Sequence, residues 1–429
     1  MKKYSKIFLL VVVVVICIVS FMQFNLFRGK AQENISIDEA KTFTINFFTS
    51  RANAVLNENK LDSFFSSKNP NLKEHEIKRV NFYKNWPRSW GGTLLDINSC
   101  PHIKALTIDN QSGYVKEEVY EWITIKWHSK KIQVPDNFEE LREVKELRDL
   151  EKSKPELKEA IEDKIKYIIK VYTDYPEIVD SGIGVEHEIT LTKENGKLVI
   201  LRDAYDEGPD LTTSPDFVKA ENKPTQDKNA TQVNTLSTIS YYYDRQNAAD
   251  YADGHVYHYC GCDPNTSPYY PDNYNPCYKN FAPPYGNGDC ANYVSQCLFT
   301  GGQPRVFDDG TYPTGINPWY YKNNGDCNTS GDKWNSAWDW APTLYSTIKN
   351  SGRGMDESYS AACMGDIAFY REASSGTVDH AVFIAVSGNS GNPDLYDSHT
   401  NDRYHCPTIN SSFHWFYVCI YGGSQSINY

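Results

Sequence analysis

The sequence predicts an α+β protein in two unlike halves behind an apolar N-terminal helix. Segments with apolar residues every three or four positions stand beside segments that alternate apolar and polar residues. Composition shifts at about Thr238, after which Tyr, Asn, Gly and Trp dominate and Lys becomes rare. A content of 40% hydrophobic residues over 429 positions supports a real core and excludes disordered, collagen-like and mini-protein classes for the bulk. The net charge is −12, and the part from Thr238 onward holds 9 Lys and Arg against 19 Asp and Glu. No basic footprint for nucleic acid is present.

At the start, Lys2, Lys3 and Lys6 precede an apolar run from Ile7 to Met22 broken only by Ser20. A cationic flank, an apolar stretch and a polar exit make an export signal over residues 1–30. The run exceeds the usual signal core of about 7–15 residues and nearly reaches the ~20 that span a bilayer. It reads as an uncleaved anchor or a cleaved peptide. Either way the flank stays inside and the rest faces outside, so the expected location is extracytoplasmic, with the membrane as a partner through this helix. Outside, thiols oxidise. Nine of the 11 Cys lie in the second half, and this odd number suggests four bridged pairs and one free thiol.

Residues 34–206 are expected to form a small α+β module. Ser36 and Glu39 make a capping box at a helix start. Val119, Ile123, Ile125 and Trp127 share one face of a strand, and Gly184 to Ile189 forms a second. Ile189 to Thr192 and Leu198 to Leu201 flank Asn195-Gly196, a hairpin turn. Between the strands, 138–171 reads as an inserted helical hairpin broken at Pro155. His75, His102, His128 and His187 are scattered and read as surface or core histidines. The module is given a structural, positioning or binding role.

Residues 207–238, rich in Pro, Asp, Asn, Thr and Lys, read as a linker. In 239–429, a helix around Ala248, Ala249 and Ala252 is followed by a Pro- and Tyr-rich loop. Then come a Gly-rich turn into Cys290, a helix from Trp338 to Ile348, and strands at 365–370, 378–386, 395–400 and 413–421.

Cys290 closes that Gly-rich turn and opens a helix-competent run to Phe299. The positive end of a helix favours thiolate over a thiol that otherwise titrates near ~8.5, and exposed amides there can hold an oxyanion. Asp289 is expected to cap the helix amides. His380 opens an apolar strand and is the best base for the thiol. A third, orienting residue comes from the next strand: His399 first, with Asn401 and Asp397 close behind.

These residues carry a resemblance. Gly288-Asp-Cys290-Ala-Asn-Tyr-Val-Ser-Gln-Cys-Leu-Phe-Thr-Gly-Gly302 resembles the nucleophile segment of the bacterial "putative amidase domain" family, in the NlpC/P60-like, papain-fold superfamily. Gly365-Asp366 through Asp379-His380-Ala-Val-Phe-Ile, then His399-Thr-Asn-Asp-Arg403, match in order, and Tyr243-Asp-Arg245 through Ala252 resembles the leading helix. The likeness covers about Tyr241 to Tyr421. It implies a papain-like domain that hydrolyses amide bonds, with Cys290 as nucleophile, His380 as base and His399 as the polar third residue. Many superfamily members cut peptidoglycan peptides, so the implied substrate is a cell-wall peptide, with no metal or organic cofactor.

Two other readings stand beside it. One is a catalytically inactive wall-binding module that grips through Trp319, Trp334, Trp338, Trp340 and Trp415. The other is a metal-binding surface protein using His255, His258, Cys260 and Cys262, although one residue between two Cys is poor zinc spacing and disulfides fit better there. Cys297 reads as core or bridged.

Overall fold

The computed structural model describes residues 35–57, 61–109, 111–207, 212–217, 238–256, 274–282, 288–306, 318–323, 327–371, 377–389, 391–400, 402–407 and 414–428. The apolar run Ile7–Met22, Asn401, Cys260 and Cys262 lie outside them. Among the described residues no helix is long and apolar enough to cross a membrane.

In the first half, α1 (Ile37–Asn57) and α2 (Pro70–Asn85) precede strands β1 (Thr93–Asp109) and β2 (Tyr114–His128). Half of the capping box is seen at the head of α1, where the Glu39 amide donates to Ser36 Oγ at 3.1 Å, while the Glu39 carboxylate pairs with Lys193 Nζ at 3.1 Å. Helices α3 (Arg142–Ser153) and α4 (Lys158–Asp174) follow, broken at Pro155, then β3 (Ile178–Glu194) and β4 (Lys197–Tyr205). Strands β2 and β3 pair in register from Val115 opposite Leu191 to His128 opposite Ile178. The helical hairpin is therefore spliced between two paired strands. Between β3 and β4, Asn195 and Gly196 both take positive φ (52° and 76°), the conformation that a two-residue hairpin turn needs. Strand β1 has no counterpart in the sequence reading. It is an edge strand with mostly half-buried or exposed residues and tolerates Pro101, so its alternation is faint.

The second half begins with β5 (Thr238–Tyr243) and α5 (Arg245–His255), capped by Asp244. Next come α6 (Cys290–Thr300), the short strands β6 (Tyr321–Lys322) and β7 (Lys333–Trp334), and helices α7 (Ser336–Asp339) and α8 (Ala341–Asn350). The helix expected from Trp338 to Ile348 is thus interrupted at Trp340, because Pro342 starts a new helix. Strands β8 (Gly354–Glu357), β9 (Ile367–Arg371), β10 (His380–Val386), β11 (Leu395–Ser398), β12 (Arg403–Pro407), β13 (His414–Ile420) and β14 (Gly423–Asn428) complete the chain.

One ten-stranded sheet runs through both halves in the order β1-β2-β3-β12-β11-β10-β9-β13-β8, with β4 also paired to β3. The joint is β3 to β12, where Arg403 lies opposite Ile183 and Tyr404 opposite Gly182. Glycine is required near this joint: a Cβ on Gly182 would come within 2.1 Å of the Trp122 ring, and one on Gly184 within 2.2 Å of the Tyr120 hydroxyl. One face of the second half's strands packs against α5, α6 and α8 around Ala381, Phe383 and Val418. The other face, with Tyr370, Val382 and Ile384, continues into the first half's core at Trp127 and Ile183. The inserted hairpin docks back on the second half through Leu147, Ile161, Ile165 and Cys363.

Candidate functional site

Cys290 is the first residue of α6, buried beneath β10. Its sulfur accepts hydrogen bonds from the amides of Ala381, Ala291 and Cys290 itself. These amides favour thiolate, yet burial outweighs them and, with the neighbouring Asp289 charge, pushes the thiol up to about 11. The sequence expectation of a helix-start thiolate is corrected: in this state the thiol is protonated, because removing a charge from water costs more than a helix terminus returns. Cys290, Cys297, Cys363, Cys406 and Cys419 are buried and outside any disulfide, and Cys277 is bridged to Cys327. The picture of four pairs and one free thiol fails, because four of these thiols serve as small apolar side chains.

His380 opens β10 opposite Tyr370 of β9. Cross-strand partners share a sheet face, and the two rings lie 4.9 Å apart. Tyr370 belongs to the face turned from α6, whereas Ala381 and Cys290 belong to the face toward it. The structure therefore brings the backbone next to His380, and not its imidazole, to the sulfur. Burial, then the Arg403 charge, push His380 down to about 3, so the ring is neutral.

The histidine placed beside the head of α6 is His399. Its Nδ1 lies 2.8 Å from Asp289 Oδ2, its Nε2 lies 2.6 Å from the His255 carbonyl, and its ring packs on Tyr293 and Tyr274. Both partners accept, so both ring nitrogens donate. Burial alone would lower its pKa, but the Asp289 hydrogen bond and charge raise it. Asp289 does not cap the helix amides as expected. Its Oδ1 accepts from the Phe281 amide (2.8 Å) and the Asn292 side chain (2.9 Å), clamping the preceding loop to α6. Its own amide donates to Thr400 Oγ1. The other candidates for the third position separate. Asn401 lies outside the described residues, and Asp397 is buried against Asp253 and His405, away from His399's partners.

Of the aromatic residues read as a possible groove, Trp319 and Trp338 are buried core and Trp340 is exposed. His187, read from the sequence as a surface or core histidine, is a core one, fully buried between Asp203 (2.8 Å) and Glu121 (3.3 Å); what sequence reasoning missed is the ionic network around it of Arg51, Arg79, Glu76 and Glu207. The faint signal was Glu121 in the middle of an apolar strand face.

Residues 242–418 match the family model described as "Putative amidase domain". The uncharacterized protein YhbB of Bacillus subtilis (strain 168) is 28% identical over 132 residues, which are 30% of this chain and 37% of that protein. The chain thus spans well under two thirds of that relative's length. No solved structure matches the chain. Residues 242–418 are, by this match, an amidase-like domain.

Proposed function

We propose that the second half is a papain-like hydrolase of the NlpC/P60 type that cleaves amide bonds in peptidoglycan peptides outside the cytoplasmic membrane, held there or exported by the apolar run Ile7–Met22. The observation that carries this is the Cys290 sulfur at a helix head, hydrogen-bonded to the amide that follows His380, inside an amidase-like domain. In the reaction Cys290 Sγ bonds to the substrate carbonyl carbon while its proton passes to His380. The first-turn amides of α6 hold the oxyanion. Collapse breaks the C–N bond, and His380 returns the proton to the leaving amine. Water activated by His380 then hydrolyses the thioester and frees the thiol.

A thiol near 11 and an imidazole near 3 exchange no proton at rest. Substrate entry must therefore admit charge and swing His380 from Tyr370 across the start of β10 toward the sulfur. His399 stays on Asp289 as a positioning residue that fixes the nucleophile's helix.

A second reading is favoured by the same buried thiol and by the imidazole on the opposite sheet face: a catalytically silent domain that binds wall peptides. One experiment separates them. Incubation of the protein with purified cell wall, with released fragments identified by mass, yields new amine and carboxyl ends if the domain hydrolyses amides. Cys290→Ala and His380→Ala then each abolish release with the fold intact by circular dichroism. Binding without fragments supports the second reading and removes the first; release that survives either substitution removes the roles given to Cys290 and His380.

A further inference from the structure

We infer that Asp253, Asp397 and His405 bind a divalent transition-metal ion of the zinc class. The three come from α5, β11 and β12. One ligand atom from each lies within 4.8 Å of the others. His405 Nε2 is 2.9 Å from Asp253 Oδ1, and Asp397 Oδ1 accepts the His405 amide at 2.7 Å. A register shift between β11 and β12 places His405 beside Asp397.

Asp397 has no exposed surface, and its Oδ2 is buried with no hydrogen-bond partner among the described residues. A carboxylate oxygen removed from water and left without a donor is costly, and a cation is the simplest partner for it. Two carboxylates and one imidazole suit zinc-class ions better than calcium or magnesium, which prefer oxygen alone.

A second acidic cluster in the molecule shows the contrast. Glu357, Asp366 and Cys419 also converge, but there Lys164 Nζ already sits on both carboxylates, 2.6 Å from Asp366. The cation place in that cluster is taken by the protein. Asp253, moreover, lines a cavity of about 200 Å³ between α4 and α5, whose wall includes Asp174, Gln246 and Ser387. The Asp253 carboxylate itself is 43% exposed, so an ion can reach the cluster from solvent, which a bound-metal assignment requires.

The test uses the full chain, stripped with chelator and titrated with Zn²⁺, then with Co²⁺ as a spectroscopic stand-in. Wild type is expected to take up about one ion at this site, with cobalt bands of nitrogen and oxygen ligation and no thiolate-to-cobalt charge transfer. Asp397→Asn and His405→Ala each weaken binding by at least about tenfold. Because Asp397 is buried, His405→Ala, checked for fold by circular dichroism, carries the result if Asp397→Asn does not fold. Cys260→Ser and Cys262→Ser leave binding unchanged. Absence of binding, equal binding by the variants, or a thiolate charge-transfer band overturns the proposal; the first outcome means that the two carboxyls share only a proton.

Discussion

At Cys290 two effects compete, and their sizes decide the outcome. A helix terminus is worth about 0.3–1 kcal/mol to a charge placed there. Burial lifts the thiol from 9.0 to about 11, a displacement of roughly 3 kcal/mol against the thiolate. The thiol therefore stays protonated until substrate or water reaches it. Only about one thiol in ten thousand is ionised at pH 7, so alkylation of Cys290 by iodoacetamide should run roughly a hundredfold slower than for an ordinary cysteine. Its rate should climb about tenfold per pH unit to near pH 10. Peptide mapping of the Cys290 peptide against pH measures this directly. A plateau below pH 8 would show a preformed thiolate and return His380 to the sulfur's side at rest.

Among the elements, β2 carries a second conflict between burial and charge. Glu117 sits on its buried face, accepts a hydrogen bond from Thr44 at 2.5 Å and has its other oxygen unpartnered. Burial pushes its carboxyl from 4.5 up to about 7, opposed by the Thr44 hydrogen bond and Lys41. The folded state thus holds this proton more tightly than the unfolded state does. Its contribution is intact below about pH 4.5 and is lost as pH rises through about 7. Glu117→Gln, which mimics the protonated form, should leave stability alike at low pH and make the protein more stable than wild type by up to roughly 3 kcal/mol at pH 8. Denaturant melts of both proteins across pH 4 to 8 test it; parallel profiles would show that Glu117 is ionised in the folded state at neutral pH. The same strand places Trp122 and Tyr120 over Gly182 and Gly184, so that β3 can meet β12. Any side chain at Gly182 must displace the Trp122 ring at the joint of the two halves.

Across the whole molecule, the continuous sheet and the docked hairpin make the first half part of the second half's foundation. Asp366 is the hub. It accepts from Lys164 of the inserted hairpin, from Arg245 of α5 at 2.7 Å, and from the Cys363 and Ile420 amides at 2.9 Å. Burial alone would raise its pKa, but the Arg245 and Lys164 charges hold its carboxyl well below the usual carboxylate range. Lys164→Ala leaves Glu357 and Asp366 short of a buried counter-charge and should cost about 3–5 kcal/mol. Its signature is faster reaction of Cys363 and Cys419, which lie beside this cluster, with a thiol reagent. Unchanged stability and thiol protection would mean that the hairpin is not anchored there.

Periodicity and turn chemistry made much of the architecture legible before any coordinates. The capping box at Ser36, the Asn195-Gly196 turn, the break at Pro155 and the order of Cys290 before His380 are local signals, written within a few residues. What they could not reveal depends on which faces meet. The β3–β12 joint pairs residues about 220 positions apart. The choice of His399 over His380 beside α6 follows from strand register. Asp253, Asp397 and His405 converge only because the tertiary fold brings the second half of α5 beside β11 and β12. By itself the sequence determined the α+β class, the composition of each half and the helix-start cysteine, since these rest on short-range propensity. The protonation of that cysteine, the sheet shared by both halves and the buried ionic clusters were decided by tertiary structure alone, because desolvation and charge pairing depend on neighbours distant in the chain.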